Sequence, residues 1–360
     1  MKILHTETLK KWGGQQNRVL MECIGLRRRG HEMIIACHKG SVLAERAKAE
    51  GIKVYEVNMV KQAHLVTIPR LIKIIKEENV DVVSTHSSVD SWAGGIAARM
   101  TGRRLVRFRH NLYPIGKDPL TRFIYGLPHS FIAISNAVKD ILVDCGINRE
   151  RINIIHSCVD FSRFNPDIKD LKEELGIPTN SMMIGNTSTF TGVKGQEFLL
   201  KAFNKIYREF PCLMLFAGRI SIESKKRYLS YVNEELRDKI IFLGHRDDIP
   251  RILKTIDIFV YPSFSEGLGT ALLEAMAMER PVVVSDIPTF REFIVDGENG
   301  LFFRAGDSHD MAEKVLFLIH NKELRERLGR NARRTVLERF TFDEMIDKTE
   351  ILYRQVLNAK

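Results

Sequence analysis

No apolar run in this sequence reaches the ~18–20 residues of a bilayer-spanning helix, which excludes a chain built on such helices. The opening residues Met1-Lys2-Ile3-Leu4-His5-Thr6 turn polar too soon for a secretory leader and read as a first buried strand. Cysteine is sparse and unpatterned. Cys23, Cys37, Cys145, Cys158 and Cys212 are scattered with no C-x-x-C pair, so neither a zinc site nor a disulfide framework is expected. Free thiols, mostly among apolar neighbours, point to a reducing compartment and hence to the cytoplasm. Low-complexity tracts are missing, and no short period repeats, which excludes a solenoid. There is no Walker A loop and no G-x-G-x-x-G following a strand, so P-loop NTPase and dehydrogenase chemistry are excluded.

What is present is a globular composition. The chain has 360 residues, 44% of them hydrophobic and 28% charged. At about 150 residues per domain this is room for two cores. The formal charge is +10, so anions are the expected partners: anionic lipid, nucleic acid or phosphorylated small molecules. The charge is uneven. Arg27, Arg28 and Arg29 form one block; Arg99, Arg103, Arg104, Arg107, Arg109, Lys117 and Arg122 crowd another stretch.

Short apolar runs alternate with amphipathic segments. Strands are expected at Lys2–His5, Met33–Cys37, Val54–Val57, Val80–Ser84, Leu105–Arg109, Phe131–Ile134 and Ile152–Ile155. A second set follows at Met182–Asn186, Cys212–Ala217, Ile240–Leu243, Ile258–Tyr261 and Pro281–Ser285. Helix-length stretches such as Gln16–Arg29, Ser91–Met100, Asn136–Cys145 and Gln196–Phe210 lie between them. That alternation implies βαβ units and parallel sheets, here two open α/β domains in tandem. The expected division is 1–165, 166–342 and a closing helix within 343–360 that packs towards the first domain. Open parallel sheets bind ligands beyond the carboxyl ends of their strands, so loops following strands are the places to search.

The most informative loop runs from Tyr261 through Pro262-Ser263-Phe264-Ser265-Glu266-Gly267-Leu268-Gly269-Thr270 into Ala271-Leu272-Leu273-Glu274-Ala275-Met276-Ala277. A strand ends, a glycine-punctuated loop follows, and a helix begins near Gly269 or Thr270. Free backbone N–H groups at such a start suit phosphate. Glu266 and Glu274 offer carboxylate acceptors for sugar or ribose hydroxyls. Glu274 stands among Leu272, Leu273, Ala275 and Met276, where a charge needs a partner or a ligand.

This segment, with Pro281-Val282-Val283-Val284-Ser285-Asp286 and Val295-Asp296-Gly297-Glu298-Asn299-Gly300-Leu301-Phe302, resembles the retaining family-4 glycosyltransferases of GT-B fold. The resemblance extends to Trp12-Gly13-Gly14, Ala133-Ile134-Ser135, Ile154-Ile155-His156-Ser157-Cys158-Val159-Asp160, Lys194-Gly195-Gln196 and Phe340-Thr341-Phe342, nearly the whole chain. It implies two Rossmann-like domains facing across a cleft and transfer of a sugar from a UDP-, GDP- or ADP-sugar with retained configuration. It further implies that Glu266 binds the transferred sugar, Glu274 the ribose, the N–H groups of Leu268, Gly269 and Thr270 the diphosphate, and Gly13 and Gly14 the donor phosphates. Lys194 is expected to stabilise the departing nucleotide, and His110 to lie at the transferred sugar on the acceptor side. His86, at the end of an earlier strand, is a further candidate.

One departure stands out. The arginine that usually accompanies the lysine is replaced by Thr189, and Arg219 is the candidate to supply the missing cation. No D-x-D triplet offers a chelate for a metal-bound donor, so no metal and no cofactor are expected. The acceptor is expected to be a glycan or a lipid-linked glycan of the cell envelope, as in lipopolysaccharide assembly, with no nucleic-acid partner. Cationic and large apolar residues interleave along Arg99–Arg122 as at a membrane-surface segment, which suggests a peripheral position on the inner face of the cytoplasmic membrane. The competing classes are an epimerase or hydrolase of nucleotide sugars on the same fold, and a non-catalytic nucleotide-sugar-binding protein.

Overall fold

Strands of Val, Ile and Leu that are buried on both faces are the local signature of parallel sheets covered by helices. The computed structural model describes residues 1–60 and 64–359 and contains two such sheets. The chain divides into one unit of Met1–Cys158 with Phe342–Lys360 and a second of Val159–Thr341.

In the first unit the strands are β1 (Lys2–Glu7), β2 (Glu32–His38), β3 (Lys53–Val57), β4 (Val82–Thr85), β5 (Arg104–Arg109), β6 (Ser130–Ala133) and β7 (Ile152–Ile154). They form one parallel sheet in the order β3-β2-β1-β4-β5-β6-β7. Its helices are α1 (Gly14–Arg28), α2 (Val42–Ala49), α3 (His64–Glu77), α4 (Ser88–Met100), α5 (Pro119–Gly126) and α6 (Asn136–Asp144). The strand order reverses between β1 and β4. That reversal opens the crevice in which ligands of doubly wound sheets bind.

The second unit repeats the plan with β8 (Met183–Asn186), β9 (Leu213–Phe216), β10 (Ile240–Phe242), β11 (Ile258–Tyr261), β12 (Val282–Ser285) and β13 (Leu301–Phe303). Their order is β10-β9-β8-β11-β12-β13, all neighbours parallel, with the reversal between β8 and β11. Its helices are α7 (Gln196–Glu209), α8 (Ile222–Leu229), α9 (Ile249–Thr255), α10 (Thr270–Ala277), α11 (Ser308–His320) and α12 (Lys322–Arg339). The sequence pattern misses β13 as a strand because its three residues carry too little periodicity to separate from a turn.

The C-terminal helix, Phe342–Asn358, lies against α1 within the first unit. Gly25 makes that approach possible: a Cβ there would sit 2.5 Å from Ile346 Cδ1. Tyr353 is buried by the packing and donates to Glu22 Oε1 at 2.7 Å. The division expected after residue 165 falls instead after Cys158. The reason is local: Val159 N–H donates to the carbonyl of Phe340 at 3.0 Å, and Phe164 is buried with its carbonyl accepting from Arg333.

Candidate active site

At the reversal of the second sheet, two loops that follow β8 and β11 are locked backbone to backbone. Phe264 N–H donates to the Val193 carbonyl at 2.9 Å, and Ser263 Oγ donates to the same oxygen at 3.2 Å. Gly195 has φ +65, and a Cβ there would fall 2.1 Å from the Pro262 carbonyl oxygen. No other residue fits that close crossing without moving the backbone. Thr289 Oγ1 donates to the Glu266 carbonyl at 2.7 Å and fixes the far side of the loop.

The crossing brings Lys194 and Glu266 together. Lys194 Nζ lies 2.6 Å from Glu266 Oε1 and 3.3 Å from the hydroxyl of Tyr261. Glu266 is only 9% exposed, and the ammonium also sits 5.6 Å from the centre of the Tyr261 ring. Burial, and next the Glu266 charge, raise the Tyr261 phenol well above its ordinary range, so it stays protonated.

The loop then enters α10 through Gly269, whose φ of +85 and contact with the Phe290 ring leave no room for a side chain. Leu268 is buried, which pins the turn. Among the described residues, the N–H groups of Leu268, Gly269, Thr270 and Ala271 have no hydrogen-bond partner. They are the unsatisfied donors of a helix start, at its positive dipole end. One turn on, Glu274 is half-buried among apolar side chains, and that desolvation raises its carboxyl to about 7, against the opposing pull of Arg163. Thr189 is exposed, with its carbonyl accepting from Gln196 Nε2 at 3.1 Å. The backbone of Arg219 lies beside it, because Phe190 N–H donates to the Arg219 carbonyl at 3.2 Å. The exposed guanidinium of Arg219 forms no ion pair among the described residues. The loops that carry Thr189 and Arg219 are therefore neighbours along the backbone. Among the described residues no three His, Cys, Asp or Glu are arranged to hold a metal ion.

The remaining candidates belong to the first unit. Gly13 and Gly14 are exposed where the loop after β1 enters α1, with Gly13 as the N-cap in an extended conformation. His86 and His110 follow β4 and β5, and His86 Nδ1 lies 3.1 Å from His110 Nε2. Burial first, and then the Arg18 and Arg109 charges, push His110 down to about 3, so its imidazole is neutral at physiological pH.

Comparison with known proteins decides what this arrangement belongs to. The family described as "Glycosyl transferases group 1" matches residues 167–335, and the one described as "Glycosyltransferase Family 4" matches 12–163. The chain belongs to the GT4-type glycosyltransferases. It is 26% identical over 313 residues to "N-acetyl-alpha-D-glucosaminyl L-malate synthase" of Bacillus anthracis, covering 84% of this chain and 82% of that one. It is 25% identical over 376 residues to "UDP-Gal:alpha-D-GlcNAc-diphosphoundecaprenol alpha-1,3-galactosyltransferase" of Escherichia coli, covering 98% and 96%. The structure of Anabaena Alr3699/HepE in complex with UDP-glucose matches with a TM-score of 0.85 at 22% identity, covering 98% and 100%. The architecture of this glycosyltransferase is therefore GT-B, two parallel-sheet Rossmann-like α/β units.

Within the transferase, the basic stretch after β4 has two parts. Arg107 is buried with its guanidinium 3.8 Å from the centre of the Tyr125 ring, and Arg109 donates to the Tyr125 hydroxyl at 3.1 Å. Those two are structural. Lys117, Arg122, Tyr113, Leu120 and Phe123 remain exposed around α5. Sequence reasoning does not find Tyr261 as the rest for Lys194, because a tyrosine closing a strand looks like core. It also passes over His5, Arg18 and Glu22, whose spacing carries no motif.

Proposed function

We propose that this glycosyltransferase moves a sugar from a UDP-sugar to a lipid-linked glycan acceptor of the cell envelope, with the anomeric configuration of the donor kept. The observation that carries the donor half is the Lys194–Glu266 pair, at 2.6 Å, beside the unpaired amides that open α10. The diphosphate fits those amides, and Lys194 with Arg219 supplies the positive charge that a departing nucleoside diphosphate needs. With donor bound, the three N–H bonds of the Lys194 ammonium are enough to serve phosphate and Glu266 together. Glu266 then accepts from hydroxyls of the transferred sugar, and Glu274 from the ribose. No metal is required in this scheme, and no side chain acts as a covalent nucleophile. The acceptor hydroxyl attacks on the face the leaving phosphate departs from, and that phosphate receives its proton.

Support for the donor base is the UDP-glucose held by the Anabaena neighbour and the UDP-Gal named for the E. coli relative. The diphosphoundecaprenol in that relative's name supports a lipid-linked acceptor, and the L-malate named for the Bacillus relative shows that small acceptors occur too. The α5 surface favours the lipid. Leu120 and Phe123 are 58% and 57% exposed beside Lys117 and Arg122, the combination that settles on an anionic interface.

Two experiments test this reading. Reaction of a UDP-α-sugar with a diphosphate-linked lipid acceptor in the presence of EDTA is expected to yield an α-linked product, read from the anomeric coupling by NMR. A β-linked product contradicts retention, and donor loss without acceptor would instead mark a hydrolase. Separately, the protein is expected to sediment with anionic liposomes at low salt, and Phe123→Glu to weaken this about tenfold, roughly the worth of one withdrawn apolar side chain. Equal sedimentation of both would remove α5 from the interface.

A further inference from the structure

His110 is not an isolated histidine. β1, β4 and β5 are neighbours in the sheet, and each contributes one imidazole to a continuous chain. His5 Nδ1 lies 2.8 Å from His86 Nε2, and His86 Nδ1 lies 3.1 Å from His110 Nε2. The rings are stacked, with centroids 5.1 and 5.4 Å apart, and Phe108 packs on both His86 and His110. His5 is fully buried and His86 is 3% exposed, so water does not supply alternative partners.

The inner end of the chain meets a carboxylate. His5 Nε2 has no hydrogen bond, and Glu22 Oε1 lies 3.6 Å from it. Glu22 is fully buried, with Oε2 3.2 Å from Arg18 Nε and Oε1 accepting from the hydroxyl of Tyr353 at 2.7 Å. Arg18 in turn donates to the carbonyls of Ile155 and His156 at 3.1 and 2.6 Å, which fixes it. The outer end is different: His110 Nδ1 has no hydrogen-bond partner among the described residues, and the ring retains partial exposure.

Each N···N contact holds one proton, so one ring donates and the other accepts. A carboxylate facing His5 Nε2 places the proton on that nitrogen and leaves Nδ1 bare. His86 then donates from Nε2 to His5 and keeps Nδ1 bare. His110 must donate from Nε2 to His86, and its Nδ1 is left with a lone pair. We propose that Glu22, His5 and His86 are positioning residues that hold His110 in the Nε2–H tautomer, so that its outward Nδ1 accepts a hydrogen bond from a substrate hydroxyl.

This rests on the transferase reading for the identity of that hydroxyl, and the tautomer itself does not. The groups around the chain agree on neutral rings. Arg18 from α1 and Arg109 from β5 add positive charge, and Glu22 from α1 opposes them at His5 alone. The Tyr353 phenol, from the C-terminal helix, stays protonated. Burial dominates at all three rings and lowers each of them. A neutral acceptor is what a sugar hydroxyl needs; an imidazolium would have only donors to offer.

The test is histidine ¹⁵N NMR of the full chain without ligand. At pH 6.5–8 the His110 Nδ1 resonance is expected at the position of a bare nitrogen and Nε2 at that of a protonated one, with couplings across both N–H···N bonds. In Glu22→Gln, whose amide can donate to His5 Nε2, the chain is expected to reverse and the His110 Nδ1 signal to shift to the protonated position. A protonated Nδ1 in the wild type overturns the proposal, and so does an unchanged tautomer in a folded Glu22→Gln chain. If that variant fails to fold, the wild-type resonances and the two couplings decide alone. Because no donor or acceptor is present, failure here leaves the transferase reading standing, and absent transfer activity leaves the tautomer standing.

Discussion

Lys194→Ala is expected to lower turnover with the UDP-sugar by ~10²–10³-fold, the usual loss when a group that stabilises developing charge is removed. Two effects add. The ammonium that would meet the departing diphosphate disappears, and Glu266 loses the cation that stands 2.6 Å away. Glu266 is 9% exposed, so its unpaired carboxylate would then face the diphosphate with little screening by water. Lys194→Arg keeps the charge but spreads it over a planar fork that the Tyr261 rest was not shaped for, and should recover only part of the rate. Steady-state kinetics on both variants check this. Turnover within fivefold of wild type in Lys194→Ala would mean that the phosphate does not leave beside this residue.

Glu274→Ala is expected to raise the donor KM by about 10–100-fold, the range of one or two hydrogen bonds to a charged acceptor. The effect should depend on pH. Burial raises the Glu274 carboxyl from an ordinary 4.5 to about 7. Between those values the folded chain holds a proton that the unfolded chain has released. The stability linked to that proton is therefore fully present below pH 4.5 and lost as pH rises through 7. Glu274→Gln removes this dependence, so melting temperatures of the two proteins should diverge between pH 4.5 and 7 and stay apart above that, in favour of the glutamine variant. Donor binding runs the other way, because ribose hydroxyls prefer the carboxylate. The shift in melting temperature caused by UDP-sugar should be larger at pH 8 than at pH 6 in the wild type and flat in Glu274→Gln. A wild-type shift that does not change with pH would detach Glu274 from the ligand.

The parallel strands and the helices between them were legible because short apolar runs and 3.6-residue periodicity alternate so regularly from Lys2 to Ser285. The loop from Tyr261 to Thr270 was legible for a related reason: Pro, Gly and Glu cannot all sit in an apolar strand–helix junction without a task. What the pattern left hidden was pairing across the chain. Lys194 and Glu266 are 72 positions apart, and their contact depends on Gly195 crossing the Pro262 carbonyl, which only the fold reveals. The placement of Arg219 beside Thr189 follows from the parallel neighbours β8 and β9, so a substituted cation could be guessed but not located. His5 and Glu22 gave no signal at all, since a histidine in a buried strand and a glutamate on a helix are ordinary residues until they meet. The charge run at Arg99–Arg122 misled in part, because Arg107 is consumed by Tyr125 in the interior.

The central claim is that a nucleoside diphosphate sugar binds in the second unit between the Lys194 loop and the start of α10. Calorimetric titration of the full chain with UDP-sugars in EDTA tests it most directly, comparing wild type with Lys194→Ala and Glu274→Ala at pH 8. The expected result is one site per chain in the wild type, with affinity lowered about tenfold or more in each variant. Binding of no UDP-, GDP- or ADP-sugar to the wild type, or equal binding to all three proteins, would contradict the account.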